Sequence, residues 1–334
     1  MPLVKPSSAP PLVIDFHAHQ LERQVFAAST NKTVFTGFGA TPAAAPRPGA
    51  QQLLGRIFEP ETVLEDMDSR GIDMSVVTSS TVLQGTSWAD ANTDLRLCQL
   101  SNEQSAQWQG KHQNRFIGSM VLPLQDCSLA IAELRRAYAT LGLKVANVSS
   151  SYNGVYMGDP IYHPFWEAIE ALGIVTWIHP EGTWDSWFQR YALWNSLGQS
   201  IEEAKCMASL IYEGVMTKFS KLNIVMAHGG GYFPHYMGRM DRNTANRPDT
   251  VRNMNGESPS SFLKKFYYDS CVYDPQVFKV LVERVGAERI VMGSDYPVGE
   301  KDPIAWLQSC GVEGQALTAI AGGNAAALLG VATL

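Results

Sequence analysis

Short apolar runs recur along this chain, separated by amphipathic stretches. They fall at 12–17 (LVIDFH), 74–79 (MSVVTS), 116–122 (FIGSMVL), 143–149 (LKVANVS), 174–179 (IVTWIH), 223–228 (NIVMAH), 266–271 (FYYDSC) and 290–295 (IVMGSD). Most are rich in Val and Ile and apolar at successive positions, as strands buried on both faces of a parallel sheet are. Between them lie helical patterns such as PETVLEDMDSRG, CSLAIAELRRAYATLG, YHPFWEAIEALG and DPQVFKVLVERVG. Several stop at glycine, the residue favoured just past a helix C-terminus. Eight such alternations predict an α/β fold, a (β/α)8 TIM barrel, as a single domain over 1–334. A doubly wound open sheet is the alternative. It needs a phosphate fingerprint or another switch-point site, and no GxGxxG follows the first run.

Two stretches break the rhythm. Residues 20–58 hold ATPAAAPRPGAQQLLGR, a Pro/Ala-rich insertion too long for an ordinary βα connection, and loops of that length tend to be lids or binding loops. Residues 180–200 carry Trp184, Trp187 and Trp194 after the fifth run, either as helix packing or as a pocket wall.

Composition narrows the class. The 334 residues are 45% hydrophobic, enough for one large core. The net charge is −6 and no Lys/Arg run occurs, so the basic patch of a nucleic-acid binder is missing. No stretch approaches the roughly 18 consecutive apolar residues of a membrane span. The start MPLVKPSSAPPLVID shows no secretory h-region, and a cytoplasmic location is expected. The five cysteines (Cys98, Cys127, Cys206, Cys271 and Cys310) are scattered without a CxxC, which suits a reducing compartment.

The candidate chemistry lies at the ends of the runs. His17 and His19 sit one residue apart where the first run expires. In a strand, residues i and i+2 share a face, so both imidazoles aim at one spot, and imidazole is the commonest metal ligand. His179 closes the fifth run, His228 the sixth (IVMAHGGG) and Asp295 the eighth (VMGSDYP). A lone histidine in such a place is usually a hydrogen-bonded core residue. Here four of the seven histidines and an aspartate stand at strand C-termini, the face on which barrel enzymes build their sites. The simplest assignment makes His17, His19 and His179 nitrogen ligands and Asp295 an anionic ligand of one divalent ion, Zn2+ by default with Mn2+ as the other option. His228, followed by three glycines, is left as a free acid/base. Its ordinary pKa of about 6.5 lets it exchange protons at neutral pH. An esterase-type oxyanion reading of HGGG lacks its GxSxG partner.

DFHAH, WIHPEG, MAHGGGYFPHYMGRMDR and VMGSDYPVGE, in this order, resemble the amidohydrolase superfamily. Within it they are similar to the branch of metal-dependent non-oxidative decarboxylases that contains 2-amino-3-carboxymuconate-6-semialdehyde decarboxylase. The resemblance runs from residue 11 to about 330 and includes EDMDSRGIDMSVV, FIGSMVLPLQD, YYDSCVYDP and AGGNAAALLG. It implies the barrel, the ligand set above and His228 as the catalytic acid/base. It also implies that Arg239, in GRMDR, binds a substrate carboxylate and can reach into a neighbouring subunit, with Arg247 in a similar place. A guanidinium fork matches both carboxylate oxygens. Binuclear relatives carry a carboxylated lysine at the end of strand four; here Lys144 begins that run and its end reads NVSSSY, so one metal is expected.

Two departures bear on the substrate. The relatives' loop arginine falls at Gln51, with Arg47 and Arg56 flanking it. Their HPWD is HPEG here, which leaves Trp194, Trp184 or Trp187 to wall the pocket. The expected activity is decarboxylation of a small unsaturated or aromatic carboxylic acid, of muconate-semialdehyde or hydroxybenzoate type. A hydrolase or hydratase using the same metal is the alternative. Finally, the helix IEEAKCMASLIYEGVMTKF has apolar residues (Met207, Leu210, Ile211, Val215 and Met216) on more than one face. That surplus predicts a homodimer, and the resemblance adds Arg239 shared across its two-fold axis.

Overall fold

All eight expected strands are present in the computed structural model, which describes residues 12–33 and 54–332. They are β1 (Ile14–Gln20), β2 (Met74–Ser79), β3 (Phe116–Met120), β4 (Val145–Val148), β5 (Val175–Ile178), β6 (Asn223–Met226), β7 (Tyr267–Asp269) and β8 (Ile290–Val291). Neighbours in sequence are neighbours in the sheet, and every pair is parallel. The segment past β8 seals the sheet against β1. The Phe16 N–H donates to the Met292 carbonyl (2.8 Å), the His19 N–H to Tyr296 (3.0 Å) and the Tyr296 N–H to His17 (3.2 Å), around a parallel bridge between Ala18 and Tyr296. The (β/α)8 barrel is therefore realised, and the open-sheet alternative is not.

Helices follow the strands: α1 (Pro60–Ser69), α2 (Ala91–Lys111), α3 (Cys127–Leu141), α4 (His163–Leu172), α5 (Ser196–Tyr212), α6 (Met237–Asn246) and α7 (Pro275–Val285). Asp90, Asp126 and Asp274 cap the N-termini of α2, α3 and α7 by accepting backbone N–H bonds. Gly142 and Gly173 end α3 and α4 in the left-handed conformation that the chain pattern called for. Inside the barrel, Ile14, Phe16, Val76, Val145, Trp177 and Val291 pack together with Ala325 and Ala326 of the last helix (Asn324–Leu329). That apolar plug leaves the C-terminal end as the polar mouth.

A bulge in β1 sets up that mouth. Asp15 pairs with Ser75 and Ala18 with Val77, so Phe16 and His17 together oppose Val76 alone. The extra residue resets the alternation. It allows Phe16 to join the barrel plug while His17 and His19 both turn to the mouth.

The structure departs from the chain pattern in two places. Strands β6 and β8 stop at Met226 and Val291, before His228 and Asp295. His228 (φ 48°) and Asp295 (φ 54°) are left-handed, a geometry no strand accommodates. The apolar surplus on α5 also has a different explanation. Met207, Leu210, Ile211, Val215 and Met216 are all buried within the single chain. Gly214 (φ 87°) breaks the helix after Tyr212, and a short turn, Val215–Lys218, folds its apolar residues inward. The surplus therefore gives no support to a homodimer.

Candidate metal centre

Five of the expected site residues converge at the mouth. The ring centroids of His17, His19, His179 and His228 lie 5.0–5.3 Å apart in five of their pairings. The ligand atoms of His17, His19 and His179 lie within 4.8 Å of one another, as do those of His17, His228 and Asp295. Asp295 Oδ1 is 3.3 Å from His17 Nε2 and 3.4 Å from His19 Nε2.

Each ring is held from behind. His17 Nδ1 meets Asp269 Oδ2 at 2.7 Å, His19 Nδ1 meets the Thr78 hydroxyl at 3.3 Å, and His179 Nδ1 meets the Thr81 hydroxyl at 2.9 Å and the Pro180 carbonyl at 2.8 Å. Such partners commonly fix the ring orientation of metal-bound histidines. They leave the Nε2 atoms to face inward, and His17 Nε2 is buried without a hydrogen-bond partner.

Electrostatics match the geometry. Burial, with help from the neighbouring histidines, lowers the pKa of His179 well below the ordinary value. Burial also dominates at His19 and lowers it. Both rings are thus neutral near pH 7, the form that ligates metals. At His17, burial opposes a charge, but Cys271, Asp295 and Asp269 outweigh it and raise the pKa. Asp295 is pulled well down, because His17 and His19 overcome its burial. The pocket thus favours positive charge between these groups. Three nitrogens, the orphaned His17 Nε2 among them, and a carboxylate fit a divalent ion.

His228 is built differently. Its Nδ1 lies 2.5 Å from Glu203 Oε1, and Glu203 is fully buried on α5. Burial lowers the imidazole pKa, yet the Glu203 charge and hydrogen bond win and raise it. Glycines 229, 230 and 231 all have positive φ (62°, 76° and 59°). A Cβ at Gly231 would lie 2.3 Å from the Ser200 carbonyl and 2.7 Å from Glu203 Oε2, so the turn can close on α5 only without a side chain.

The other candidates are placed less centrally. Arg239, on α6, and Arg247, at its C-terminal end, are exposed and form no ion pair among the described residues. Arg56 is bound to Asp66 through Nε (2.7 Å) and Nη2 (2.5 Å), while the Tyr296 hydroxyl donates to the same carboxylate (2.6 Å). Trp194 is buried, and a Cβ at Gly182 would lie 2.8 Å from its ring; Trp184 and Trp187 are about half exposed. Gln51 and Arg47 lie outside the described residues.

Three participants were missed in the sequence. Asp269 ends β7 and also accepts the Gly229 (3.2 Å) and Cys271 (3.0 Å) N–H groups. The strand-end rule that found His17 would have found it, had the seventh run been ended at YYD. Glu203 had a fainter signal: an acid in register with Met207 and Leu210, four and seven residues on, in a buried stripe. Tyr273, whose hydroxyl donates to Asp295 Oδ2 (2.9 Å), had none.

Comparison with known proteins agrees with this geometry. The chain is 32% identical over 278 residues to 2-amino-3-carboxymuconate-6-semialdehyde decarboxylase of Dictyostelium discoideum, covering 82% of this chain and 77% of that one. It is 26% identical over 277 residues to gamma-resorcylate decarboxylase of Polaromonas sp., covering 78% and 83%. The crystal structure of 5-carboxyvanillate decarboxylase from Sphingomonas paucimobilis superimposes with a TM-score of 0.83 at 25% identity, over 96% of this chain and 99% of that one. A dihydroxybenzoic acid decarboxylase from Polaromonas sp. with bound manganese gives 0.82 at 23%, over 96% and 97%. The amidohydrolase family model matches residues 14–331, and with the barrel and its histidine-rich mouth in place the chain belongs to that family.

Proposed function

We propose that this protein is a metal-dependent non-oxidative decarboxylase of a small aromatic or unsaturated carboxylic acid. The observation that carries the reading is the pairing of two unlike histidine environments in one mouth. Three rings converge beside Asp295 and include an orphaned Nε2; the fourth ring is held by a buried glutamate. The homology to decarboxylases of a carboxymuconate semialdehyde and of gamma-resorcylate supports carbon–carbon cleavage over hydrolysis or hydration.

His17, His19, His179 and Asp295 would hold the divalent ion, and zinc is the first expectation for mixed His/Asp ligands. Bound there, the ion would act as a Lewis acid towards an oxygen of the substrate. The remaining chemistry falls to the chain. Glu203 fixes Nδ1 of His228, so the proton in play is on Nε2. His228 delivers that proton to the substrate carbon bearing the carboxylate. The carbon becomes tetrahedral, the bond to the carboxylate carbon breaks, and its electron pair restores the unsaturated system as CO2 leaves. His228 is then reprotonated from solvent. Arg239 and Arg247, which have no ion-pair partner among the described residues, are proposed to bind the substrate carboxylate. Trp194 is proposed as a wall of the pocket. The assembly proposed is a homodimer, with Arg239 serving the neighbouring site.

The test is metal analysis of the purified protein together with CO2 detection across hydroxybenzoic and muconic acids. About one divalent ion per chain and CO2 from at least one acid are expected. Incorporation of water into product without CO2 would move the assignment to a hydrolase or hydratase.

A further inference from the structure

The two carboxylate oxygens of Asp295 have different partners. Oδ1 faces the rings of His17 and His19, 3.3 Å and 3.4 Å from their Nε2 atoms. Oδ2 accepts the Tyr273 hydroxyl at 2.9 Å. One oxygen is thus turned to the candidate ligands and the other to a phenol. The division matters because a carboxylate can give a metal one oxygen or two. The last torsion of an aspartate is broad, so nothing in the side chain itself chooses between them.

The chain goes to some length to make this contact. Tyr273 (φ 61°) and Asp295 (φ 54°) are both left-handed. For a side chain as bulky as tyrosine that backbone is an outlier, and such outliers persist only where the surroundings enforce them. Before Tyr273, the Cys271 N–H is bound to Asp269 and the Val272 N–H to the Ser270 carbonyl (2.8 Å); after it, Asp274 caps α7. The Asp295 carbonyl accepts the N–H groups of Val298 and Gly299, both at 2.9 Å, and Asp66 pins the next side chain, Tyr296. Gly299 keeps the way clear. A Cβ there would lie 2.6 Å from Tyr273 Oη and 2.7 Å from Asp295 Cβ, as well as 2.2 Å from the Ser294 carbonyl. With both backbones fixed, what remains to Asp295 is the torsion of its side chain, and the Tyr273 hydroxyl restrains it. Core packing does not account for the tyrosine, whose side chain is left 46% exposed.

We propose that Tyr273 is a positioning residue of the metal centre: by holding Oδ2, it makes Asp295 a one-oxygen ligand through Oδ1. The inference rests on the proposed ligand set of His17, His19, His179 and Asp295. Its consequence is a vacancy kept open. A catalytic ion needs a position free for substrate, and a carboxylate that gave both oxygens would fill one. The hydroxyl alone carries this role, so Tyr273→Phe removes it and keeps the ring.

Full-length protein loaded with Co2+ tests it, because the visible bands of Co2+ lose intensity as its coordination number rises and so report geometry. Tyr273→Phe should still take up about one Co2+ per chain at saturation, with visible bands weaker than those of the wild type. A hydroxyl that only braced the loop would lower the Tm of the variant and leave the spectrum alone. A variant spectrum identical to that of the wild type therefore overturns the proposal, whatever happens to melting. The crystal structure of the zinc-loaded wild type decides the same point without a variant. Oδ1 is expected on the ion at about 2.0–2.2 Å, with Oδ2 still on the Tyr273 hydroxyl; both oxygens at that distance would overturn the one-oxygen role. A wild type that binds no ion would instead remove the metal centre, and the positioning role with it.

Discussion

His17 is gripped from two sides: Asp269 holds Nδ1, and Nε2 faces Asp295. Asp269 also ties down the N–H groups of Gly229 and Cys271, so one carboxylate orients a ligand and braces the turn that carries His228. Asp269→Asn should weaken metal affinity by about 10–100-fold, the usual cost of losing such a partner, measured by competition with a chelating dye. His228 makes the opposite case. Its Nδ1 is committed to Glu203, so removing the ring should spare the metal and remove the proton donor. His228→Ala is expected to keep most of its metal and to lose about 10²–10⁴ in kcat. A metal-free variant would make His228 a ligand instead. Most of this site was readable in the chain because it obeys a single rule, polar residues where apolar runs end. Glu203 and Tyr273 escaped that rule. They come from a helix and a loop whose approach to the mouth is decided only by packing.

At the scale of elements, the strands were legible because burial on both faces writes itself as consecutive Val and Ile. Their ends were not. The turn after β6 is fixed by close approach: Gly230 lies against Met207 and Tyr268, and Gly231 against Ser200 and Glu203. Neither constraint is visible until α5 is in position. A Cβ at Gly231 would also have to adopt φ 59° with ψ −132°, a region essentially reserved for glycine. Gly231→Ala should therefore cost about 1–3 kcal/mol, read from the denaturant midpoint, and should lower kcat by displacing His228. The same logic explains α5. Its apolar residues suggested an interface because a helix on an idealised barrel needs one buried stripe. This helix is instead enclosed, with the Ala227–Gly231 turn packed against it and Val215 and Met216 folding back beneath.

For the whole molecule, the proposal of a homodimer rests on Arg239 rather than on α5. If a second subunit completes each site, two inactive variants should complement one another. Mixing His228→Ala with Arg239→Ala under conditions of subunit exchange should restore about a quarter of wild-type activity, since half the dimers are mixed and each holds one intact site. No recovery despite demonstrated exchange would place Arg239 in its own pocket. The closure of the barrel has a further consequence, which concerns synthesis. Strand β1 pairs with β2 on one side and with Met292 and Tyr296 on the other, so its second edge stays open until residues 292–296 have been made. During translation His17 and His19 leave the ribosome before His179, and Asp295 follows all three. A nascent chain that stops short of residue 295 holds the three proposed imidazole ligands, His17, His19 and His179, but not the carboxylate. On the proposed ligand set, a ribosome stalled before residue 295 would therefore carry a product without the carboxylate, and metal capture in the mature way would wait for that residue to emerge.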